Sequence, residues 1–475
     1  MRHFITAAAL VALTATPALA QTRAISASEK AQGARANPEL LAEFGGPYRG
    51  PQAAYVERVG KRVAVQSGLS NAQGDFTVTL LNSPVENAFA IPGGYVYVTR
   101  QLLALMNSEA ELASVLGHEV GHVAARHSQG RQRASTIGSI LAAGAGLLTG
   151  SNLIGQGVSS AAQLGVLGYG RNQEYQADGL GVRYITAAGY DPYAAADMLS
   201  ALGASSQLAQ RTSGRDATAV PSWFSTHPNS EDRVRRAVKL AAETGRPETN
   251  PAQDTGFLRM LDGLPYDDDP SQGVIDGQTF RHPDLRLRFS APSGYQIANG
   301  TDAVTVAGQG GQAQFQIGRG NDLAAAINAR FATLAGNASS AAPAGELRSG
   351  TANGLSYAYR TARASANNRA VDATVVAYRF PSAIYTFTLV TPAGSGVGPF
   401  APLLDSVATL TPAEAAAIKG KRVRIVTVKA GDTVDSLARQ MAYRDYQRER
   451  FITLNGLDPD APLTPGHLVK VIVNG

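Results

Sequence analysis

"SVLGHEVGHVAARH" spans residues 114–127 and brings His118, Glu119, His122 and His127 into ten positions of a chain that has seven histidines in all. Upstream, Ser108 and Glu111 have the spacing of a helix capping box, so a helix is expected to start at Ser108. On a helix each residue advances about 100°, which sets His118 and His122 about 40° apart and one turn apart, with both rings on one face. They can share a metal ion. Glu119 stands about 100° round from His118, placed to reach a water on that ion without binding the ion itself. His127 falls about 180° from His118 and cannot join the pair from the same helix. The longer three-histidine pattern is also excluded, because it needs glycine and histidine where this chain has Ala125 and Ser128.

A third ligand must come from elsewhere. The chain has no cysteine, which leaves histidine and carboxylates. The best candidate is Glu174 in "EYQAD" (174–178), on a helix expected over roughly 171–187. Asp178 follows at i+4 on the same face, placed to hydrogen-bond the outer nitrogen of a ligand histidine. Like charges at that spacing repel, which argues for a cation nearby and against a pair on a solvated helix face. Two histidines and a carboxylate with an open fourth position make a catalytic zinc set, expected here as one Zn2+ per chain. Zinc would polarise a scissile carbonyl and lower the pKa of a water, while Glu119 takes the proton and passes it to the leaving amine.

The first twenty residues, "MRHFITAAALVALTATPALA", have a basic start, an apolar stretch and small residues at Ala18 and Ala20. That is the layout of a secretory signal, so 1–20 is expected to be cleaved and the protein exported. A net charge of +5, from 42 Lys+Arg against 37 Asp+Glu, is spread over a long chain. No dense basic stripe interleaved with aromatics appears, which excludes a nucleic-acid partner. From 134 to 170 no residue is charged, yet glycines, Thr149, Asn152 and Gln156 interrupt the apolar run. A helical hairpin packed on the protein is the leading reading, with membrane-surface contact and a true span as alternatives.

Residues 21–246 are expected to form one mainly helical domain with a small sheet, in which "DFTVTLLNS" (75–83) and "NAFAIPGGYVYVTRQLL" (87–103) supply strands and Pro92-Gly93-Gly94 a turn. A further helix is expected after "STHPNSEDRV", ending near 244. Residues 247–279 suit a linker, with Asp267-Asp268-Asp269 as a solvated turn. From 280 to 415 alternating strands and one helix near 321–334 read as a separate α+β domain with no dense cluster of ionisable groups. The tail, 420–475, gives strand, helix, helix and closing strand.

"SVLGHEVGHVAARH", "EYQADGLG" and "STHPNSEDR", in this order with a hydrophobic insert between the first two, resemble the HtpX and Ste-type zinc metallopeptidases of peptidase family M-48, and in particular the exported, periplasmic BepA-like branch. The match covers roughly residues 28–245. It implies a multidomain α+β protein built on a gluzincin-type metallopeptidase domain. It also implies His118, His122 and Glu174 as zinc ligands, Glu119 as catalytic acid and base, Asp178 behind a ligand histidine, and the "NAFAIPGGYVYV" strand edge as the place where an extended substrate pairs. The His-Pro segment puts His227 close to the metal, where it either donates to the oxyanion or fills the open zinc position and keeps the enzyme latent; a plain helix-entry role is the alternative. The tail resembles a LysM module, which implies affinity for glycans such as peptidoglycan. Together these imply a zinc-dependent endopeptidase of misfolded or misassembled envelope proteins, acting in the periplasm. A periplasmic chaperone or scaffold with a latent zinc site and a glycan-binding tail is the alternative from another class.

Overall fold

The computed structural model describes residues 24–127, 169–212, 223, 227, 231–248, 253–300, 303–319, 322–335, 345–366 and 369–475. The expected signal segment 1–20, and the apolar insert up to residue 168, lie outside them. Among the described residues no helix is long and apolar enough to cross a membrane.

Helices α1 (Ala27–Glu43) and α2 (Gln52–Ala64) precede strand β1 (Thr77–Leu81) and the hairpin of β2 (Ala88–Ile91) and β3 (Tyr95–Thr99). The hairpin turns at Gly93 and Gly94, whose φ values of 94° and 86° suit residues without a Cβ. β3 lies in the middle of this sheet, parallel to β1 and antiparallel to β2. Helices α3 (Arg100–Leu105) and α4 (Glu109–Ala124) follow, and α4 packs on β2 and α2. Ser108 caps α4 by accepting from the Glu111 amide at 3.1 Å, but Glu111 answers to the amide of Asn107, at 2.8 Å, one residue earlier than the reciprocal box expects.

Helix α5 runs Arg171–Ala187, matching the expected 171–187, and lies against α4 along its length. α6 (Ala194–Thr212), which the sequence reading passed over, and α7 (Glu231–Glu243) close the helical layer. α6 runs through "YAAADMLSALGASSQL", most of which is small residues.

Of the linker expected at 247–279, the described stretch 253–276 is folded into the body. Phe257, Leu258, Leu261 and Leu264 are buried, and Pro265–Tyr266 pairs with the tail strand Lys421–Thr427. The acidic run is likewise no solvated turn. Asp267 accepts from Lys421 and Tyr443, Asp268 from the Ile275 amide, and Asp269 from Asn82. These carboxylates knot the stretch to its neighbours, which composition alone cannot reveal.

Residues 274–409 contain two further sheets. A seven-stranded antiparallel sheet carries helix Leu323–Ala335 on one face and a four-stranded sheet on the other. In strand Arg369–Arg379, Val375 and Ala377 face the helix while Val376 and Tyr378 face the second sheet, the period-two alternation of a strand buried on both sides.

The tail has the order strand, helix, helix, strand, with Lys421–Thr427 antiparallel to Leu468–Asn474. Its core is not separate. Val423, Phe451, Val469, Val471 and Ile472 join one apolar cluster with Val56, Leu112 and Leu116 of the first unit. Lys470 fixes the junction: it is fully buried, and its Nζ donates to the carbonyls of Ala104, Leu105 and Met106 at 2.8, 3.0 and 2.7 Å. Three acceptors can take all three ammonium protons at the carbonyl end of α3, while burial pulls the Lys470 pKa down to about 7 against a smaller upward pull from Glu111.

Replacing Lys470 with methionine removes this donor from all three carbonyls, of which Leu105 still accepts from Asn107 Nδ2 at 3.1 Å. Lys470→Met is expected to lower unfolding free energy by about 3–5 kcal/mol, read as a shift of the urea midpoint, whereas a change under about 1 kcal/mol contradicts a buried clamp.

Candidate metal centre

α4 and α5 approach closely because their facing residues are small. A Cβ on Gly121 would sit 3.0 Å from the Ala177 carbonyl oxygen, and one on Gly181 would sit 3.0 Å from the His118 amide nitrogen. That contact brings the carboxylate of α5 onto the imidazoles of α4.

His118, His122, Glu174 and His227 each offer one ligand atom, and these atoms lie within 4.8 Å of one another. His118 Nε2 is 3.0 Å from His122 Nε2 and 3.3 Å from His227 Nδ1. Glu174 Oε1 is 3.5 Å from His122 Nε2 and 3.1 Å from His227 Nδ1, and Glu174 Oε2 is 3.6 Å from His118 Nε2. All four residues are buried. The outer nitrogens of His118 and His122 are turned to other partners, so their inner nitrogens share one small space. Facing lone pairs at 3.0 Å repel unless a cation lies among them, and imidazole nitrogen with carboxylate oxygen is a donor set that suits zinc.

Glu119 is fully buried one position round the helix, with Oε1 3.5 Å from His227 Nε2 and 3.4 Å from Trp223 Nε1. Its Oε2 has no hydrogen-bond partner among the described residues. A buried carboxylate oxygen left open beside this donor set is suited to take a proton from a water.

Asp178 Oδ1 lies 2.9 Å from His118 Nδ1, the outer-nitrogen geometry expected from i+4 spacing. The cation that answers the Glu174–Asp178 repulsion includes a residue the sequence reading did not single out. Arg233, on α7 and nearly fully buried, grips Asp178 through Nε at 2.8 Å and Nη2 at 2.7 Å. Its Nη1 forms an ion pair with Glu174 Oε2 at 2.8 Å, off the line of a hydrogen bond. Burial alone would raise the Asp178 carboxyl, but hydrogen bonds from His118 and Arg233 hold it well below the usual carboxylate range. Burial likewise works against ionisation of Glu174, and the hydrogen bond to His227 with the charges around it lowers its pKa on balance.

Two rings complete the walls. Trp223 stacks on His227 with centroids 4.6 Å apart, and its amide is held by the Glu86 carbonyl. Tyr169 stacks on His122 at 3.6 Å. The chain's single tryptophan, four positions before His227, was the one available signal for this wall, and nothing in the pattern marked Tyr169. His127 stays outside the cluster.

Residues 51–241 match the family profile of Peptidase family M48. The chain contains an M48 metallopeptidase domain. It is similar to the mitochondrial metalloendopeptidase OMA1 of Schizosaccharomyces pombe, 33% identical over 222 residues, which are 45% of this chain and 61% of that protein. It is 28% identical to the beta-barrel assembly-enhancing protease of Yersinia pestis over 215 residues, 43% of this chain and 42% of that protein. Against the mitochondrial metalloendopeptidase OMA1 of Arabidopsis thaliana the identity is 33% over 159 residues, 33% of this chain and 30% of that protein. The chain thus spans between about a third and three fifths of the relatives it matches. The M48 family is zinc-dependent, in keeping with the donor set.

Arg233 answers two buried carboxylates, so Arg233→Met is expected to destabilise the metal-free protein by about 3–5 kcal/mol. A zinc ion supplies part of the missing positive charge, so the loss of melting temperature should shrink when zinc is present. Equal losses with and without zinc would mean that Arg233 and the metal do not share the same carboxylates.

Proposed function

We propose that this protein is a zinc-dependent endopeptidase in which His118, His122 and Glu174 hold the metal and Glu119 is the general acid and base. The observation that carries the reading is the convergence of the His118 and His122 imidazoles with the Glu174 carboxylate on one space, with the buried Glu119 carboxylate beside it against His227. A zinc ion held there supplies Lewis acidity to a peptide carbonyl and to the attacking water. Glu119 takes the proton from that water and returns it to the leaving amine. Asp178 keeps the His118 ring turned with its inner nitrogen to the site, and Arg233 keeps both carboxylates in place.

His227 would fill the fourth position of a zinc ion held by the other three residues. Its Nδ1 stands among the ligand atoms, which supports a resting state in which the histidine withdraws before substrate enters. An extended chain is the proposed substrate form: β2 is the last strand of its sheet, the position at which a peptide adds as a further strand, and its residues are buried in this conformation. Envelope proteins that have misfolded or misassembled are the proposed clients, in the periplasm. The signal-like first twenty residues and the likeness to a protease named for β-barrel assembly support this. Units at 21–246, 280–415 and 420–475 are the proposed division of the mature chain, with the tail as a LysM-like unit that shares its core with the first. Its loops at 429–433 and 457–462 are largely exposed, which leaves them accessible to a peptidoglycan strand.

Purified protein with zinc is expected to cleave unfolded casein, and a chelator should abolish the cleavage until zinc is restored. Glu119→Gln should keep its zinc and lose at least about 100-fold in rate; persistent cleavage by that variant contradicts the assignment. His227→Ala should retain zinc and cleave faster than the parent chain. A slower His227→Ala variant with zinc still bound points instead to a direct role in stabilising the transition state.

A further inference from the structure

We infer that His127 is a positioning residue for His122, acting through a hydrogen-bond relay that ends on the helix carrying Glu174. This role presupposes the metal-holding set proposed for His118, His122 and Glu174.

α4 ends at Ala124, and Arg126 takes a left-handed φ of 54°. The chain therefore leaves the helix sharply, and the His127 ring lies beside α4 instead of continuing round it. His127 Nδ1 is 2.8 Å from His122 Nδ1, and His127 Nε2 is 3.1 Å from Gln176 Oε1. Both histidines are buried, at 2% and 5% exposure, so water does not compete freely for these contacts.

Valence then fixes the protons. His122 presents Nε2 to the ligand cluster, and a nitrogen that binds a metal offers a lone pair, so the proton of the neutral ring sits on Nδ1. At 2.8 Å that proton is donated to His127 Nδ1, which must be unprotonated. The His127 proton is therefore on Nε2, where the Gln176 side-chain oxygen accepts it. One requirement at the metal face sets the tautomer of two rings and the orientation of one amide.

The two ligand imidazoles are thus backed differently. His118 donates to a carboxylate, Asp178 Oδ1, at 2.9 Å, whereas His122 donates to a neutral ring. A carboxylate raises the basicity of its histidine more than a neutral acceptor does. His122 is accordingly the weaker donor, and it depends more on being held in orientation. Gln176 lies two residues from Glu174 on α5, so the relay ties the ring of His122 to the helix that supplies the carboxylate.

The test uses the full chain, stripped of metal and titrated with zinc and with cobalt(II). His127→Phe keeps a ring of similar size without an acceptor, and His127→Gln restores an acceptor without the ring. The Phe variant is expected to bind metal about 10–100-fold more weakly, with altered cobalt absorption bands. The Gln variant should recover most of that loss, and both metal-free variants should melt at similar temperatures. Equal affinity of the Phe variant and the parent overturns the relay, as does a Gln variant that falls as far as Phe, which would make His127 a packing residue. Nitrogen-15 spectra of histidine-labelled parent protein should show His127 protonated at Nε2; protonation at Nδ1 overturns the relay even where metal binds. A parent chain that takes up no metal fails differently, since it removes the zinc reading itself.

Discussion

Everything at this centre depends on two helices touching almost backbone to backbone. At the α4–α5 crossing, Gly121 meets the Ala177 carbonyl and Gly181 meets the amide of His118. A larger side chain at either glycine would push the helices apart, and the Glu174 carboxylate would lose its reach to the two imidazoles. The histidine motif supplies two members of the candidate ligand set, and the small residues supply the distance at which Glu174 joins them.

Close approach carries an electrostatic cost, because it buries Glu119, Glu174 and Asp178 together. Burying like charges is unfavourable unless each is paired. Arg233 offsets part of that cost from a third helix, and a cation held by the cluster would offset more. The centre is therefore shared work between α4, α5 and α7, and Trp223 and Tyr169 wall it with apolar rings. The tail belongs to the same body: Lys470 and the merged apolar core tie the last strand to the turn that leads into α4.

The side-chain pairs proposed as ligands and their support could be read as pairs because helix periodicity is strict. Spacing of four places two side chains on one face wherever the helix lies, so His118 with His122, and Glu174 with Asp178, were readable as pairs. Arg233, Trp223 and Tyr169 were not, since each reaches the site through tertiary packing that leaves no local period. His127 shows the limit of the wheel from the other side. It is rightly excluded as a partner of His118, yet the left-handed turn at Arg126 brings its ring to the outer nitrogen of His122. Among larger features, the sheet hairpin and the tail's strand–helix–helix–strand order were readable from alternation and turn residues. The packed character of 253–276 was not, because its acidic run finds partners far away in sequence.

The most direct test of this account is X-ray absorption at the zinc edge on the full, zinc-loaded chain. One zinc per chain, surrounded by nitrogen and oxygen at about 2.0–2.2 Å with the outer scattering of at least two imidazoles, is the predicted result. A shell without imidazole scattering, or one unchanged when His118 and His122 are both replaced by alanine, would contradict it.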